Sequence, residues 1–283
     1  MGRRKRNLRK KRWLMWTGAL AAAGVLALGL DSRLAVREYR VESAHVTAPV
    51  SLAVLTDLHA CFYGEGQADL LSAVAEQSPD LVLLGGDIVD DDPGMPEERA
   101  LETVEALAAR WPVYYVTGNH EFWTGRVEEV KDRLRARGAV VLEGVCRTVE
   151  AAGQTIQVAG VDDPAVGEAA WRAQLSAAAA GVDGEHFSLL LTHRPERVED
   201  YAGLGFGLIL AGHAHGGQWR LPGLINGLIA PDQGLFPRYA GGRYQLGESV
   251  LLVSRGLARE STRVPRLFNR PELVVVDVVP AGA

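Results

Sequence analysis

Eight Asp, Asn and His residues, at five points of the 283-residue chain, have the types that hold metal ions or move protons. They stand in Asp57-Leu58-His59, Gly86-Asp87, Gly118-Asn119-His120-Glu121, Thr192-His193 and Gly212-His213-Ala214-His215. Five of the seven histidines fall in these blocks, and only His45 and His186 lie outside. Mixed Asp, Asn and His donors suit borderline divalent metals better than Ca, which prefers all-oxygen sites. Two such cations ~3.5–4 Å apart repel, and a shared carboxylate offsets that repulsion. Glycines beside the donors let the backbone turn sharply and approach a metal or phosphate.

Each block follows an apolar, β-type run. Val50–Thr56, Leu81–Leu84, Val113–Val116, Ser188–Leu191 and Leu208–Leu210 read as strands, so the donors collect at carboxyl ends, where open α/β sheets bind ligands. Helical spacing appears over Gln67–Gln77, Pro96–Arg110, Arg126–Arg137 and Ala169–Ala180. Short strands are expected near 139–142, 146–150 and 154–160, then at Arg243–Leu246, Val250–Val253 and Leu273–Val279. Strand–helix alternation followed by clustered strands implies an α/β layered sandwich with two sheets.

Composition bounds the rest. With 47% apolar and 23% charged residues the chain is globular, and two cysteines exclude a disulfide scaffold or a four-cysteine zinc site. The net charge of −5 combines +8 in residues 3–12 with −13 elsewhere. An acidic body argues against non-specific nucleic-acid binding, which needs a basic face, and no nucleic-acid partner is expected. Residues 1–12 read as a basic cytoplasmic tail and 13–30, an uncharged apolar run, as a transmembrane signal-anchor at the short end of what spans a bilayer. The same layout fits a cleaved signal peptide; the uncleaved anchor is the reading taken. The positive-inside rule then places the body outside the cytoplasm, on the cell membrane as a single-pass protein. Residues 31–48 read as a mixed-charge stalk and 49–283 as the catalytic domain. No G-x-S-x-G or G-x-x-x-x-G-K-[ST] occurs, so serine-hydrolase and P-loop chemistry lack support.

The five blocks in this order resemble the calcineurin-like metallophosphoesterase family, whose pattern is D-x-H, G-D, G-N-H-[DE], a lone His and G-H-x-H. The stretches DLHACFYGEGQ, GGDIVDD, YYVTGNHEFW and AGHAHGGQ, and the tail RGLARESTRVPRLFNRPEL, look like a membrane-anchored bacterial branch. Ala214 and Ala258 depart from that branch, which often has Thr and Gly there. The resemblance implies a four-layer α-β-β-α sandwich with two mixed sheets. It implies that Asp57, His59 and His215 bind one divalent metal ion, that Asn119, His193 and His213 bind a second, and that Asp87 bridges them. Mn is the metal favoured, with Fe, Zn and Mg as alternatives. His120 would face the substrate and stabilise the transition state or protonate the leaving oxygen, while Glu121 would orient a ligand from behind. Arg266, from the tail pattern, is a candidate for substrate phosphate. Asp90, Asp91 and Asp92 read as a solvated loop.

The implied activity is hydrolysis of phosphodiester or pyrophosphate bonds by a hydroxide that the metals make available. The implied substrate is a phosphoester small molecule or a lipid-linked envelope compound of the UDP-diacylglucosamine type. A phosphomonoesterase, a cyclic-nucleotide phosphodiesterase, or a membrane-tethered binding module with a vestigial site are the alternatives.

Overall fold

Apolar runs bounded by turn residues form two six-stranded mixed sheets, each flanked by helices on its outer face. The computed structural model describes residues 13, 15–18, 20, 23–262 and 264–282. The expected basic tail, 1–12, lies outside these residues, as do positions 14, 19, 21 and 22 of the expected anchor. Among the described residues no helix is long and apolar enough to cross a membrane.

The first sheet has β1 (Ala35–Ser43), β14 (Glu272–Pro280), β2 (Val50–Leu55), β3 (Leu81–Gly85), β4 (Val113–Val116) and β5 (Ala139–Val141), in that order. From β2 to β5 the pairing is parallel, with Leu52 opposite Leu81 and Leu83 opposite Tyr114. β14 runs antiparallel to β2. The second sheet has β12 (Gly242–Leu246), β13 (Ser249–Val253), β9 (Leu208–Ala211), β8 (Phe187–Leu191), β7 (Gln154–Gly160) and β6 (Val145–Ala151). Only its two edge pairs are antiparallel. A small hairpin of β10 (Ile229–Ala230) and β11 (Gly234–Leu235) stands apart.

The central strands read as continuous apolar runs because both faces are buried. Leu52, Val54, Leu81 and Leu83 meet Val158, Leu189, Leu191 and Leu210 between the sheets. The alternate residues Ala53, Leu55, Val82 and Leu84 pack outward on α1 (Ala68–Gln77), α2 (Glu97–Ala108) and α4 (Val127–Ala136). On the other side Leu190 and Ile209 pack on Trp171 and Leu175 of α5 (Glu168–Ala180) and Tyr201 of α6 (Val198–Tyr201). The order is helices, sheet, sheet, helices, which is the four-layer sandwich.

The expected stalk is the main correction. Within 31–48, Ala35–Ser43 forms edge strand β1, pairing with β14 from Ala35–Glu272 to Ser43–Pro280. Its charged residues hid it: Arg37, Glu38, Arg40 and Glu42 are exposed, while Val41 is buried and Tyr39 half-buried. An edge strand tolerates such charges, which also guard it against stray pairing.

Candidate metal centre

The carboxyl ends of β2, β3 and β4 face those of β8 and β9 across the seam between the sheets. Asp57 and His59 follow β2 and Asp87 follows β3. Asn119 and His120 open the short helix α3 (Asn119–Trp123) after β4; His193 follows β8, and His213 and His215 follow β9. Six of the seven expected metal ligands fall into two groups, and the seventh, Asn119, is buried at the start of α3. Asp57, His59, Asp87 and His215 offer ligand atoms within 4.8 Å of one another, and so do Asp87, His193 and His213. The two groups share Asp87.

The backbone bends hard to achieve this. Asp57, His59, Asp87, His213 and His215 all have φ between 47° and 64°, in the left-handed region. That region costs a non-glycine residue about 1–2 kcal/mol, and strain of this kind gathers at functional sites. Gly86, at φ 87°, lies where a Cβ would sit 2.6 Å from the Gly118 nitrogen and 2.7 Å from His193 Nδ1. No side chain fits there, so the two sheets meet at a bare backbone.

Contacts behind the donors decide which atoms face inward. His59 Nδ1 lies 2.9 Å from Asp90 Oδ2, leaving Nε2 toward Asp87, 3.8 Å from its Oδ2. His193 Nδ1 donates to the Gly85 carbonyl at 2.8 Å and its Nε2 lies 3.1 Å from Asp87 Oδ2. His213 Nδ1 faces His193 Nε2 at 3.2 Å, while its Nε2 is 2.8 Å from Asp232. His215 stacks on His59 with ring centroids 5.2 Å apart, and its Nε2 lies 3.7 Å from Asp57. Asp57 Oδ1 accepts from the His213 N–H at 2.9 Å.

The donor set fits divalent cations on an observation independent of sequence. Asp57 Oδ2, His59 Nε2 and Asn119 Oδ1 are buried and have no hydrogen-bond partner. Buried polar atoms without partners are costly unless something binds them. The field also demands positive charge. Burial alone would depress His193, but the Asp87 charge and hydrogen bond raise it to about 10. Asp87 itself is held well below the usual carboxylate range: burial opposes this, and the His193 interactions prevail. Burial, together with the His59 ring and the Arg266 charge, pushes His215 down to about 3 despite Asp57. This balance favours a neutral His215 and a protonated His193, so a cation binding at His193 would have to displace a proton.

The remaining candidates sit around this cluster. His120 packs edge-on against His59, 4.4 Å between centroids, with its Nδ1 2.6 Å from Asp91 Oδ1 and 3.7 Å from Asp90 Oδ1. Burial would lower its pKa, but Asp90, Asp87 and Asp91 raise it to about 9. The solvated-loop expectation for Asp90 is thereby corrected. Its carboxyl is buried against His59 and His120, because the chain after β3 turns back over the site. Glu121 is fully buried and accepts from the N–H groups of Asp87, Ile88, Val89 and Gly118 at 2.7–3.1 Å. It fixes the Asp87 backbone. Arg266 is buried behind His215, 3.4 Å from Nδ1, and donates to the Arg255 carbonyl at 2.7 Å.

Sequence reading missed one group. Arg194, next to His193, is clamped by Asp163 at 2.5 and 3.1 Å, pairs with Asp232, and lies 2.9 Å from His213 Nε2. Adjacency of Arg194 to His193 was the one available signal; nothing local marks Asp163 or Asp232. Beside His215 a groove of about 380 Å³ opens, walled by Gln218, Ile229, Ala230, Pro231, Thr262 and Val264.

Comparisons with known proteins agree with this geometry. The profile of the calcineurin-like phosphoesterase family matches residues 50–217. Metallophosphoesterase YkuE of Bacillus subtilis is 28% identical over 274 residues, covering 91% of this chain and 93% of its own. Phosphodiesterase YaeI of Escherichia coli is 28% identical over 236 residues, covering 82% and 83%. A Bos taurus transmembrane protein with metallophosphoesterase domain is 28% identical over 288 residues, covering 95% of this chain and 62% of its own. The profile spans more than half of the chain and ends just past the last donor block, so the chain belongs to the calcineurin-like phosphoesterase family and is a hydrolase of phosphoester bonds.

Proposed function

We propose that this chain hydrolyses a phosphodiester or pyrophosphate bond of a lipid-linked cell-envelope substrate, at two divalent cations, Mn being the favoured metal. Asp87 carries the reading, since one buried carboxylate is common to two donor groups that otherwise share nothing. Asp57, His59 and His215 would hold one cation, Asn119, His193 and His213 the other, and Asp87 would serve both. Cations held there would make a water nucleophilic near neutral pH and neutralise charge on phosphoryl oxygens. Asp90 and Asp232 orient His59 and His213 from behind, as outer-shell carboxylates do. His120 keeps a proton near neutral pH under the influence of Asp90 and Asp91 and delivers it to the leaving oxygen. Trp123, whose ring is 4.7 Å from that of His120, walls the same mouth.

The apolar walls of the groove beside His215 support a substrate with an acyl portion. Residues 13–30 anchor the chain, with the body outside the cytoplasm; the eight cations in residues 3–12 and the transmembrane relative support this placement.

The test strips the full chain of metal, restores Mn, and compares a chromogenic phosphodiester, its monoester and a UDP-diacylglucosamine-type pyrophosphate. Mn-dependent cleavage of the diester and pyrophosphate, lost in Asp87→Asn, is expected. Dominant monoester cleavage overturns the substrate class. Fewer than two cations per chain, with no turnover, overturns the catalytic reading.

A further inference from the structure

We propose that the rim of the site built by residues 219–236 docks on a lipid bilayer, so that the metal centre opens toward the surface of the membrane that residues 13–30 enter. This rests on the anchor reading above and adds an orientation to it.

The first observation is where the exposed apolar side chains lie. Trp219, Leu221, Leu224, Ile229, Leu235 and Phe236 crowd one stretch, with Leu224 at 81% and Leu235 and Phe236 near 65% exposed. A cluster of this kind marks an interaction surface, because water solvates it poorly. The stretch borders the site: the β10–β11 hairpin carries Asp232 onto His213, and Ile229 shares the groove wall with His215.

The second observation is where the N-terminal apolar run leaves the body. Residues 23–29 are helical, with Val25, Leu26 and Leu28 more than half exposed. At its end the Phe268 N–H donates to the Gly29 carbonyl at 2.6 Å. The preceding residue, Leu267, accepts from the Arg220 N–H at 2.9 Å and bridges to Trp219. The anchor thus departs from the loop to which the rim is tied.

A bilayer is the occupant that covers both at once. A protein partner fitted to the rim leaves the uncharged run and its eight leading cations unexplained. Aromatic and aliphatic residues beside the exposed Arg238 have the make-up of an interfacial surface, apolar groups sinking among acyl chains and a cation near headgroups. A centre held there meets a bond carried on a membrane lipid without extracting it.

The test uses the full chain in vesicles of phosphatidylethanolamine and phosphatidylglycerol. Cys146 is replaced by Ser, Cys61 being buried. A single Cys bearing an environment-sensitive fluorophore is placed at Leu224, at Leu235, or at Glu248, in the turn at the far end of the second sheet. Blue-shifted emission quenched by brominated lipid is expected at 224 and 235, with neither effect at 248. Chain that floats with the vesicles while all three probes report water overturns the docking and leaves the anchor standing. Chain that does not float overturns both. The double variant Leu224→Asp/Leu235→Asp is expected to lose about tenfold in turnover of a bilayer-embedded diester relative to a soluble one, and an unchanged ratio counts against the rim.

Discussion

The two sheets have six strands each and share one apolar core, yet they bring different chemistry to the seam. The first supplies Asp57, Asp87 and Asn119, oxygen donors, with His59 as its one imidazole among the expected ligands. The second supplies His193, His213 and His215, all nitrogen donors. The first concentrates buried carboxylates, and the second gathers imidazoles, with the His193 and His213 rings edge-on at 4.9 Å between centroids. Facing each other, Asp87 meets His193 at 3.1 Å and Asp57 meets the His213 N–H at 2.9 Å. The site is thus a property of the interface between sheets, and its assembly depends on how closely they approach.

The sharpest way to break this arrangement is at the shared carboxylate. Asp87→Ala is expected to lower kcat/KM by about 10³-fold or more, since charge stabilisation by the cations is worth several kcal/mol. Elemental analysis should show fewer cations per chain, and a loss under tenfold would exclude the shared role. Next is the bare backbone where the sheets touch. Gly86→Ala forces a Cβ into Gly118 and His193 at a positive φ, and should cost about 2–4 kcal/mol in urea unfolding. Gly153→Ala is the control, at φ 73° with nothing within 4 Å, and should cost about 1 kcal/mol. Equal losses would show that close approach of the sheets is unimportant.

The outer carboxylates sharpen the comparison. Asp232→Asn, behind the second sheet's His213, should weaken one cation's affinity by about 10–100-fold with little change in kcat at saturating metal. Asp90→Asn, behind the first sheet, should weaken affinity similarly and also lower kcat, because it touches His120 as well as His59. Matching kcat values for the two variants would remove Asp90 from proton delivery. The smallest effect concerns pH. His193, raised to about 10, is protonated at neutral pH and must lose that proton to bind a cation, whereas His215, near 3, has none to lose. Affinity of the second-sheet cation should therefore rise with pH by about tenfold per unit below 10, and the first-sheet cation should respond less. Titration calorimetry in buffers of different ionisation enthalpy reads the released proton, and equal slopes would sink the asymmetry.

Much of this is legible in the chain. The donor blocks stand out because few residue types bind metals and each block closes an apolar run. The strands between the sheets are readable for the same reason, since both of their faces are buried. Where local signals conflict with context, reading fails. β1 carries four charges and looks like a stalk, but pairing with β14 along a sheet edge leaves those charges in water. Asp90 sits in a run of three aspartates that looks solvated until the chain folds it onto His59. Asp163, Arg194 and Asp232 meet around His213 from separate loops, so no window of sequence contains them.

The sequence by itself determined the donor types, their order and their placement at strand ends, because these follow from residue chemistry and hydrophobic pattern. Only the tertiary structure decided which nitrogen of each imidazole faces the centre and which carboxylates engage the rings from behind. A ring nitrogen turns inward when the other is engaged from behind. For His59 that partner is Asp90, and for His213 it is Asp232, which only the packed hairpin brings within reach.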